Sequence, residues 1–167
     1  MSLKNLNASN KTHKYLIDKL KDKKIFRIYQ KFEKNINLNQ DFIVAVSGGP
    51  DSLALSFLAK IYSIDKSLKA NFFLVDHKLR YNSSEEANFV KKLLKKLSIK
   101  LNILKWYGKK PRNNIQSIAR VKRYALLTKK SKKLNTNHIL FGHHKDDLIE
   151  NFFIRMLRGS GLNGMLS

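Results

Sequence analysis

The chain has 167 residues, enough for one domain with a substantial core and too few for two of ordinary size. It contains no cysteine, which excludes disulfides, thiolate metal sites and a cysteine nucleophile in this chain. Its formal net charge of +22 predicts a polyanionic partner such as a nucleic acid. Because 27 of the 34 basic residues are lysine, an AT-rich genome encoding an ordinary surface is an alternative explanation.

The N-terminal part carries no targeting or membrane signal. No apolar run approaches the ~20 residues of a membrane span, and the first residues lack the apolar core of a signal peptide. We therefore expect a cytoplasmic protein with no membrane partner. Residues 11–34 carry apolar side chains at helical spacing among lysines, which predicts one or two amphipathic helices. Residues 1–25 are interpreted as a partly helical N-terminal extension, followed by one domain over residues 26–167.

The most informative segment is a short apolar run, Phe42–Val46, that ends in the turn Ser47–Ser52. Its β-branched residues predict a strand buried in a parallel sheet, and the pattern then becomes helical over Asp51–Tyr62. Gly48 and Gly49 let backbone N–H groups approach an anion at the start of that helix. The alternative is an ordinary strand-to-helix turn. The residues predicted to contact phosphate are Ser47, Gly48, Gly49, Pro50, Asp51 and Ser52.

Further strands and helices alternate along the chain. Strands are predicted over 70–77, 99–106 and 138–142, and helices over 83–97, 115–134 and 143–158. This alternation predicts an α/β fold, namely a doubly wound, Rossmann-like parallel sheet of about five strands with helices on both faces.

The helix after the second strand carries two local predictions. Ser83 and Glu86 have the spacing of a capping box at its start. Phe89, Val90 and Leu94 fall on one helical stripe with neighbouring leucines, so we expect all of them to face the core.

Three of the twelve acidic residues follow the fourth predicted strand, at the sheet edge that the Ser47–Ser52 turn also occupies. Asp147 and Glu150 share a helical face, and two carboxylates on one face repel unless a cation or a substrate ammonium lies between them. Helix capping is the alternative for one of the acids, and Asp146 is the candidate. A zinc site formed by His143, His144 and Asp147 is a further alternative.

A basic segment runs through the predicted helix at 115–134. In a chain that prefers lysine, its arginines indicate fixed phosphate contacts, because guanidinium binds phosphate through two hydrogen bonds. A solvated basic face is the alternative. The residues predicted to bind RNA are Arg112, Arg120, Arg123, Lys129 and Lys130.

The Ser47–Ser52 turn is not a Walker A loop, because it lacks the closing Gly-Lys-Ser/Thr. It resembles the SGGxDS loop of the PP-loop ATP pyrophosphatase superfamily, whose members cleave ATP between the α- and β-phosphates. A carboxylate beside a polyphosphate is repulsive unless a divalent cation lies between them. Asp51 is therefore interpreted as a Mg²⁺ ligand.

The ordered set of motifs resembles the N-terminal catalytic domain of the tRNA(Ile)-lysidine synthetases from about Phe42 to the end. Asn151 departs from the family, which usually has Thr there. The resemblance implies that C-terminal tRNA-binding domains of the family are absent from this chain. The motifs are Ser47–Ser52, Val75–Arg80, Ala119–Tyr124, Gly142–Glu150 and Arg158–Gly161.

The resemblance implies a ligase that forms a carbon–nitrogen bond. The wobble cytidine of the CAU-anticodon isoleucine tRNA attacks ATP through its 2-carbonyl oxygen, and free L-lysine then displaces AMP to give lysidine. Asp51, Asp147 and Glu150 are the implied catalytic residues, with Asp147 as the base, and a homodimer is a compatible assembly. ATP contacts extend to Asp76, His77 and Arg80. Lysine contacts are His143, Asp147, Glu150, Arg158, Gly159, Ser160 and Gly161.

Three alternatives remain beside this interpretation. tRNA thiolases of the same superfamily use cysteine to carry sulfur, which this chain lacks. Amide-forming relatives such as NAD and GMP synthetases act on small acceptors and do not need this charge. A non-catalytic nucleotide- or RNA-binding module would bind ATP without turnover.

Overall fold

The computed structural model describes residues 11–108, 111 and 113–142. The elements expected between residues 42 and 142 are confirmed to within three residues at each end. The bounds in this part of the chain are α1 (Lys11–Leu20), α2 (Lys23–Asn35), β1 (Phe42–Val46), α3 (Pro50–Asp65), β2 (Ala70–Asp76), α4 (Ser83–Lys95), β3 (Leu101–Lys105), α5 (Ile115–Lys133) and β4 (Ile139–Phe141).

The strands form one parallel sheet in the order β3-β2-β1-β4. β1 lies inside the sheet, with Phe42 paired to Ala70 of β2 and Ile43 paired to Ile139 of β4. All five residues of β1 are buried, as expected of a strand covered on both faces. The described residues contain four strands rather than about five, because the other apolar residues between 11 and 142 follow helical spacing.

Alternate residues of the central strands pack on opposite faces of the sheet. Val44 and Val46 join a core with helices α1 to α4, whereas Ile43 and Ala45 pack with Leu127 of α5. The chain returns from β3 past β2 and β1 to reach β4, and a right-handed crossover then places α5 on the other face. The doubly wound arrangement is therefore confirmed.

The two N-terminal helices belong to the same core as α3. Leu16 and Leu20 of α1 and Tyr29 of α2 are buried there. The Tyr29 hydroxyl donates to Asp65 at 3.3 Å, and Lys66 pairs with Glu33 of α2 at 2.7 Å. None of the helices in the described part of the chain is long and apolar enough to cross a membrane.

Both local predictions for α4 need correction. Its N-cap is Asn82, whose side chain makes no capping hydrogen bond, so the predicted capping box is wrong. The neighbouring Ser84 donates to the buried Asp76, and a buried carboxylate without donors would be costly. Phe89 is 67% exposed rather than in the core. The buried stripe passes through Ala87, Val90 and Leu94, and Phe89 lies about 100° around the helix from Val90.

Candidate nucleotide-binding site

The loop between β1 and α3 has the backbone shape that the sequence predicts. Gly48 has φ of 92°, in the left-handed region that side chains disfavour. A Cβ at this position would also lie 3.0 Å from Cγ2 of Val90. α3 then begins at Pro50 with Asp51 exposed in its first turn. The helix N-terminus and its partial positive charge therefore face the loop.

The hydroxyl of Ser52 holds this loop together. It accepts hydrogen bonds from the N–H groups of Ser47 and Gly48, at 3.2 and 3.1 Å, and donates to the Gly49 carbonyl at 2.9 Å. The Ser52 side chain is buried. The sequence predicts that this hydroxyl also donates to phosphate, and that contact stays a prediction. Its observed bonds give it the role of fixing the loop conformation.

The end of β2 sends two polar side chains to opposite faces of the sheet. Asp76 points to α4 and accepts hydrogen bonds from the Lys78 N–H at 2.9 Å and the Ser84 hydroxyl at 2.6 Å. Burial on its own would raise the pKa of Asp76, but hydrogen bonds from Ser84, Lys78 and Ser83 together hold that pKa below its ordinary value. Asp76 thus stays ionised and anchors the β2–α4 connection.

His77 points to α5 and is half-buried. Among the residues that the structure describes, neither ring nitrogen has a hydrogen-bond partner, although both are shielded from solvent. Burial lowers the pKa of His77, and the nearby Arg123 guanidinium lowers it further against the opposing effect of Asp76. A neutral imidazole here has one donor and one acceptor to offer a ligand.

A cleft of about 980 Å³ opens from this loop, across the end of β2, between the first turns of α4 and α5. This volume is in the range of small-molecule sites. Its rim carries the exposed side chains of Phe89 and Ile115. Arg80 pairs with Glu86 of α4 at 3.5 Å. The polar and charged side chains that line the cleft are those of Ser47, Asp76, His77, Arg80, Asn82, Ser83, Glu85, Glu86, Gln116 and Arg123.

The structure brings together most of the predicted ATP-binding residues. Ser47, Gly48, Asp76, His77 and Arg80 line one cleft, and Gly49–Ser52 continue the same loop into α3. Apart from the residues of α5, the other predicted residues lie outside the described residues, and their roles stay predictions. They are Arg112, His143, His144, Asp146, Asp147, Glu150, Arg158, Gly159, Ser160 and Gly161.

The basic residues predicted on α5 do not form one continuous surface at the cleft. Arg123 lines the cleft beside His77. Arg120 does not line it, and its guanidinium carbon lies 5.9 Å from the ring centroid of Tyr124. Lys129 and Lys130 lie about 10 Å beyond Arg123 along the helix axis, near its C-terminal end. Positive charge near a helix C-terminus stabilises the helix without any ligand, so these two lysines can have a purely structural role.

Two residues with structural roles at this site were not predicted from the sequence. A Cβ at Gly142 would lie 2.9 Å from both Cα and the backbone N of Ser52, so the end of β4 touches the start of α3. A single glycine directly after a strand is a signal of such close approach. Ser84, which binds Asp76, follows Ser83 in a helix start and has no separate signal.

The residues present fit a Mg²⁺ ion that arrives with a nucleotide. Between residues 11 and 142, as far as described, no three His, Asp or Glu side chains come together to hold a metal ion. Mg²⁺ is usually held by one or two carboxylates together with substrate phosphates, and Asp51 supplies one carboxylate at the loop.

Comparison with known proteins agrees with this site. Residues 20–167 match the PP-loop domain family. A tRNA(Ile)-lysidine synthase of Orientia tsutsugamushi is 41% identical over 136 residues, covering 81% of this chain and 30% of that protein. One from Rhodopseudomonas palustris is 43% identical over 127 residues, covering 74% and 36%. The chain thus spans about a third of the length of these relatives.

Solved structures show the same fold. A U34-tRNA thiolase, NcsA, from Methanococcus maripaludis with its [4Fe-4S] cluster superposes with a TM-score of 0.69 at 19% identity, covering 83% of this chain and 52% of that one. The match along residues 20–167, the motif order and the loop geometry lead to one assignment. The chain belongs to the PP-loop domain family.

Proposed function

We propose that this chain is the ATP-binding catalytic part of a tRNA(Ile)-lysidine synthetase. Such an enzyme converts the wobble cytidine of the CAU anticodon of isoleucine tRNA to lysidine, using ATP and free L-lysine. One observation supports this most directly. The glycine loop closed by Ser52 opens into a cleft with Arg123, in a chain 38–43% identical to proteins named tRNA(Ile)-lysidine synthase.

In the first step, the cytidine 2-carbonyl oxygen attacks the α-phosphorus, and the bond from that phosphorus to the pyrophosphate oxygen breaks. The N–H groups of Ser47 and Gly48 are bonded to Ser52, so the phosphates bind at the Gly49 backbone and the dipole of the α3 N-terminus. Arg80 and Arg123 supply positive charge from the cleft wall. Mg²⁺ held by Asp51 would neutralise charge on the departing pyrophosphate. His77 offers a neutral donor or acceptor for orienting the nucleotide.

In the second step, the lysine ε-amine attacks C2 of the cytosine and the bond from C2 to the AMP oxygen breaks. The ammonium must first lose a proton, so a base has to lie beside it. Asp147 is our candidate base. Glu150, with His143 and the 158–161 segment, completes the proposed lysine site. These residues follow β4, whose last residues lie against the start of α3.

ATP–pyrophosphate exchange by this chain tests the proposal. We expect exchange to depend on an isoleucine tRNA transcript with a CAU anticodon and to be absent with a GAU transcript. Lysine should then be incorporated into the CAU transcript alone. Exchange that is indifferent to the anticodon would contradict the proposed substrate. ATP binding without any exchange would favour a non-catalytic module.

The Asp147→Asn variant separates the two steps. Product formation should fall sharply while exchange persists, and added lysine should not restore the rate, because a lost base lowers kcat as well as binding. Equal loss of exchange and transfer would instead assign Asp147 to Mg²⁺. Loss of neither would make these acids helix caps.

A further inference from the structure

The loops after β2 and β3 are joined at the sheet edge beside the cleft. Asp76 pairs with Lys105 at the end of the strands, and the Trp106 N–H donates to the Asp76 carbonyl at 3.0 Å. The same register continues past the strands. The ring centroids of His77 and Trp106 lie 6.4 Å apart, and Nζ of Lys78 lies 5.1 Å from the ring centroid of Tyr107. Tyr107 therefore has a defined place next to the cleft wall formed by His77.

This edge exposes an unusual amount of aromatic surface. Tyr107 is 77% exposed and Tyr81, in the β2–α4 connection, is fully exposed. Lys78 is exposed as well and lies over the Tyr107 ring. These rings contribute little to core packing, so their exposure needs a different explanation.

Exposed aromatic rings beside lysines are suited to single-stranded nucleic acid. A base stacks on the ring while the ammonium pairs with the backbone phosphate, whereas duplex binding needs the charges alone. The net charge of +22 favours a polyanion over an acidic small molecule as the occupant. A base that reacts inside the cleft must leave its stack, and its unpaired neighbours then need a surface outside.

We propose that Tyr107, with Lys78 over its ring, and the exposed Tyr81 of the β2–α4 connection form a stacking platform for an unpaired nucleotide flanking the base that reacts in the cleft. The platform rests on the proposed function in one respect, namely that the substrate is an RNA with a single-stranded loop. Tyr107 and Tyr81 stack with bases, and Lys78 pairs with a phosphate.

The chain offers a matched control. Tyr15 of α1 is 47% exposed and has Nζ of Lys19 at 5.4 Å from its ring centroid, the same pairing as Tyr107 and Lys78. α1 packs against α2, and none of its described residues lines the cleft. Tyr15→Ala therefore removes an equivalent ring from a different surface.

The test measures the Kd of the 167-residue chain for two labelled RNAs, a 17-nucleotide hairpin with the CAU anticodon loop and a blunt duplex. Tyr107→Ala should weaken hairpin binding about five- to a hundredfold, with Tyr107→Trp restoring it. The salt dependence should not change in Tyr107→Ala, whereas Lys78→Ala should lower the log–log slope by roughly 0.7 to 0.9. Duplex binding by Tyr107→Ala, and hairpin binding by Tyr15→Ala, should equal those of the wild type.

Hairpin affinity that is unchanged in Tyr107→Ala while the wild type binds would overturn the platform and leave the proposed function intact. Equal weakening of hairpin and duplex would also overturn it, because stacking on unpaired bases predicts a difference. A wild-type chain that binds neither RNA would overturn both the platform and the RNA substrate.

Discussion

Gly142, just after β4, lies against the backbone of Ser52 in the first turn of α3. A Cβ at Gly142 would come within 2.9 Å of Cα and N of Ser52 and 3.1 Å of the Asp51 carbonyl carbon. Backbone atoms cannot swing aside as the end of a side chain can. The last strand of the described sheet therefore sets the position of the helix that begins at the phosphate loop.

Gly142→Ala should displace the start of α3. We expect a loss of about 1–3 kcal/mol in the free energy of unfolding, as for other overpacked sites, with weaker ATP binding. Urea unfolding and ATP titration measure the two effects. Gly49→Ala is the stability control, because its Cβ would meet nothing closer than Ser47 Oγ at 3.8 Å. Equal stability of the two variants would show that β4 and α3 are not tightly coupled.

Ser52→Ala should loosen the loop. It leaves the N–H groups of Ser47 and Gly48 without their acceptor, so we expect a cost of about 1–3 kcal/mol in unfolding free energy and a higher Kd for ATP. Ser63→Ala removes a buried hydroxyl bonded only to the Lys60 carbonyl, and should leave ATP affinity unchanged. ATP affinity that is the same in both variants would contradict the loop-fixing role of Ser52.

Asp51→Asn should remove most Mg²⁺-dependent turnover. Placed charge stabilisation is often worth several kcal/mol, so we expect a fall of about two orders of magnitude or more in ATP–pyrophosphate exchange. The experiment is a Mg²⁺ titration of exchange. Asp18→Asn removes an equal charge from α1, where Asp18 pairs with Lys21, and should have no effect. An unchanged exchange rate in Asp51→Asn would contradict the assignment of Asp51 as a Mg²⁺ ligand.

Alanine substitutions at Arg123 and Arg120 should differ in their effect on ATP affinity. The sequence predicts that both bind tRNA and spare ATP, but Arg123 lines the cleft and Arg120 packs over Tyr124. We now expect Arg123→Ala to raise the Kd for ATP about tenfold, as loss of a charged hydrogen bond does. Arg120→Ala should leave it unchanged. Equal Kd values for ATP in the two variants would return Arg123 to the RNA-binding set.

The pKa of His77 should respond to Arg123. NMR titration should give a pKa below 6.5, and Arg123→Gln should raise it because a nearby positive charge is removed. Since the folded pKa is below the unfolded one, the unfolded state takes up its proton first as the pH falls. The stability from neutral His77 is then full above about pH 6.5 and is lost as the pH falls toward the folded pKa. Arg27→Gln on α2 is the charge control, and an equal shift in both variants would exclude direct coupling.

The local elements and the loop could be predicted from the amino-acid sequence. Consecutive β-branched residues before a Gly-Gly-Pro turn allow little besides a buried strand, a tight turn and a helix start, and the structure has each of them at Phe42–Val46, Gly48 and Pro50. The parallel, doubly wound arrangement follows from the alternation of elements, because crossovers are right-handed. These features depend on neighbouring residues and on the rules of chain connection, both of which a sequence contains.

The contacts between side chains of different elements could not be predicted in this way. Asp76 and His77 are adjacent in sequence, yet the pleat sends one to Ser84 of α4 and the other toward Arg123 of α5. Phe89 has the spacing of a core residue and is exposed on the cleft rim, because α4 turns its Ala87–Val90–Leu94 stripe toward the sheet. Ser84 donates to the buried Asp76, a contact that the spacing of residues in α4 does not predict. Each outcome depends on packing between elements distant in sequence, which local pattern and spacing do not specify.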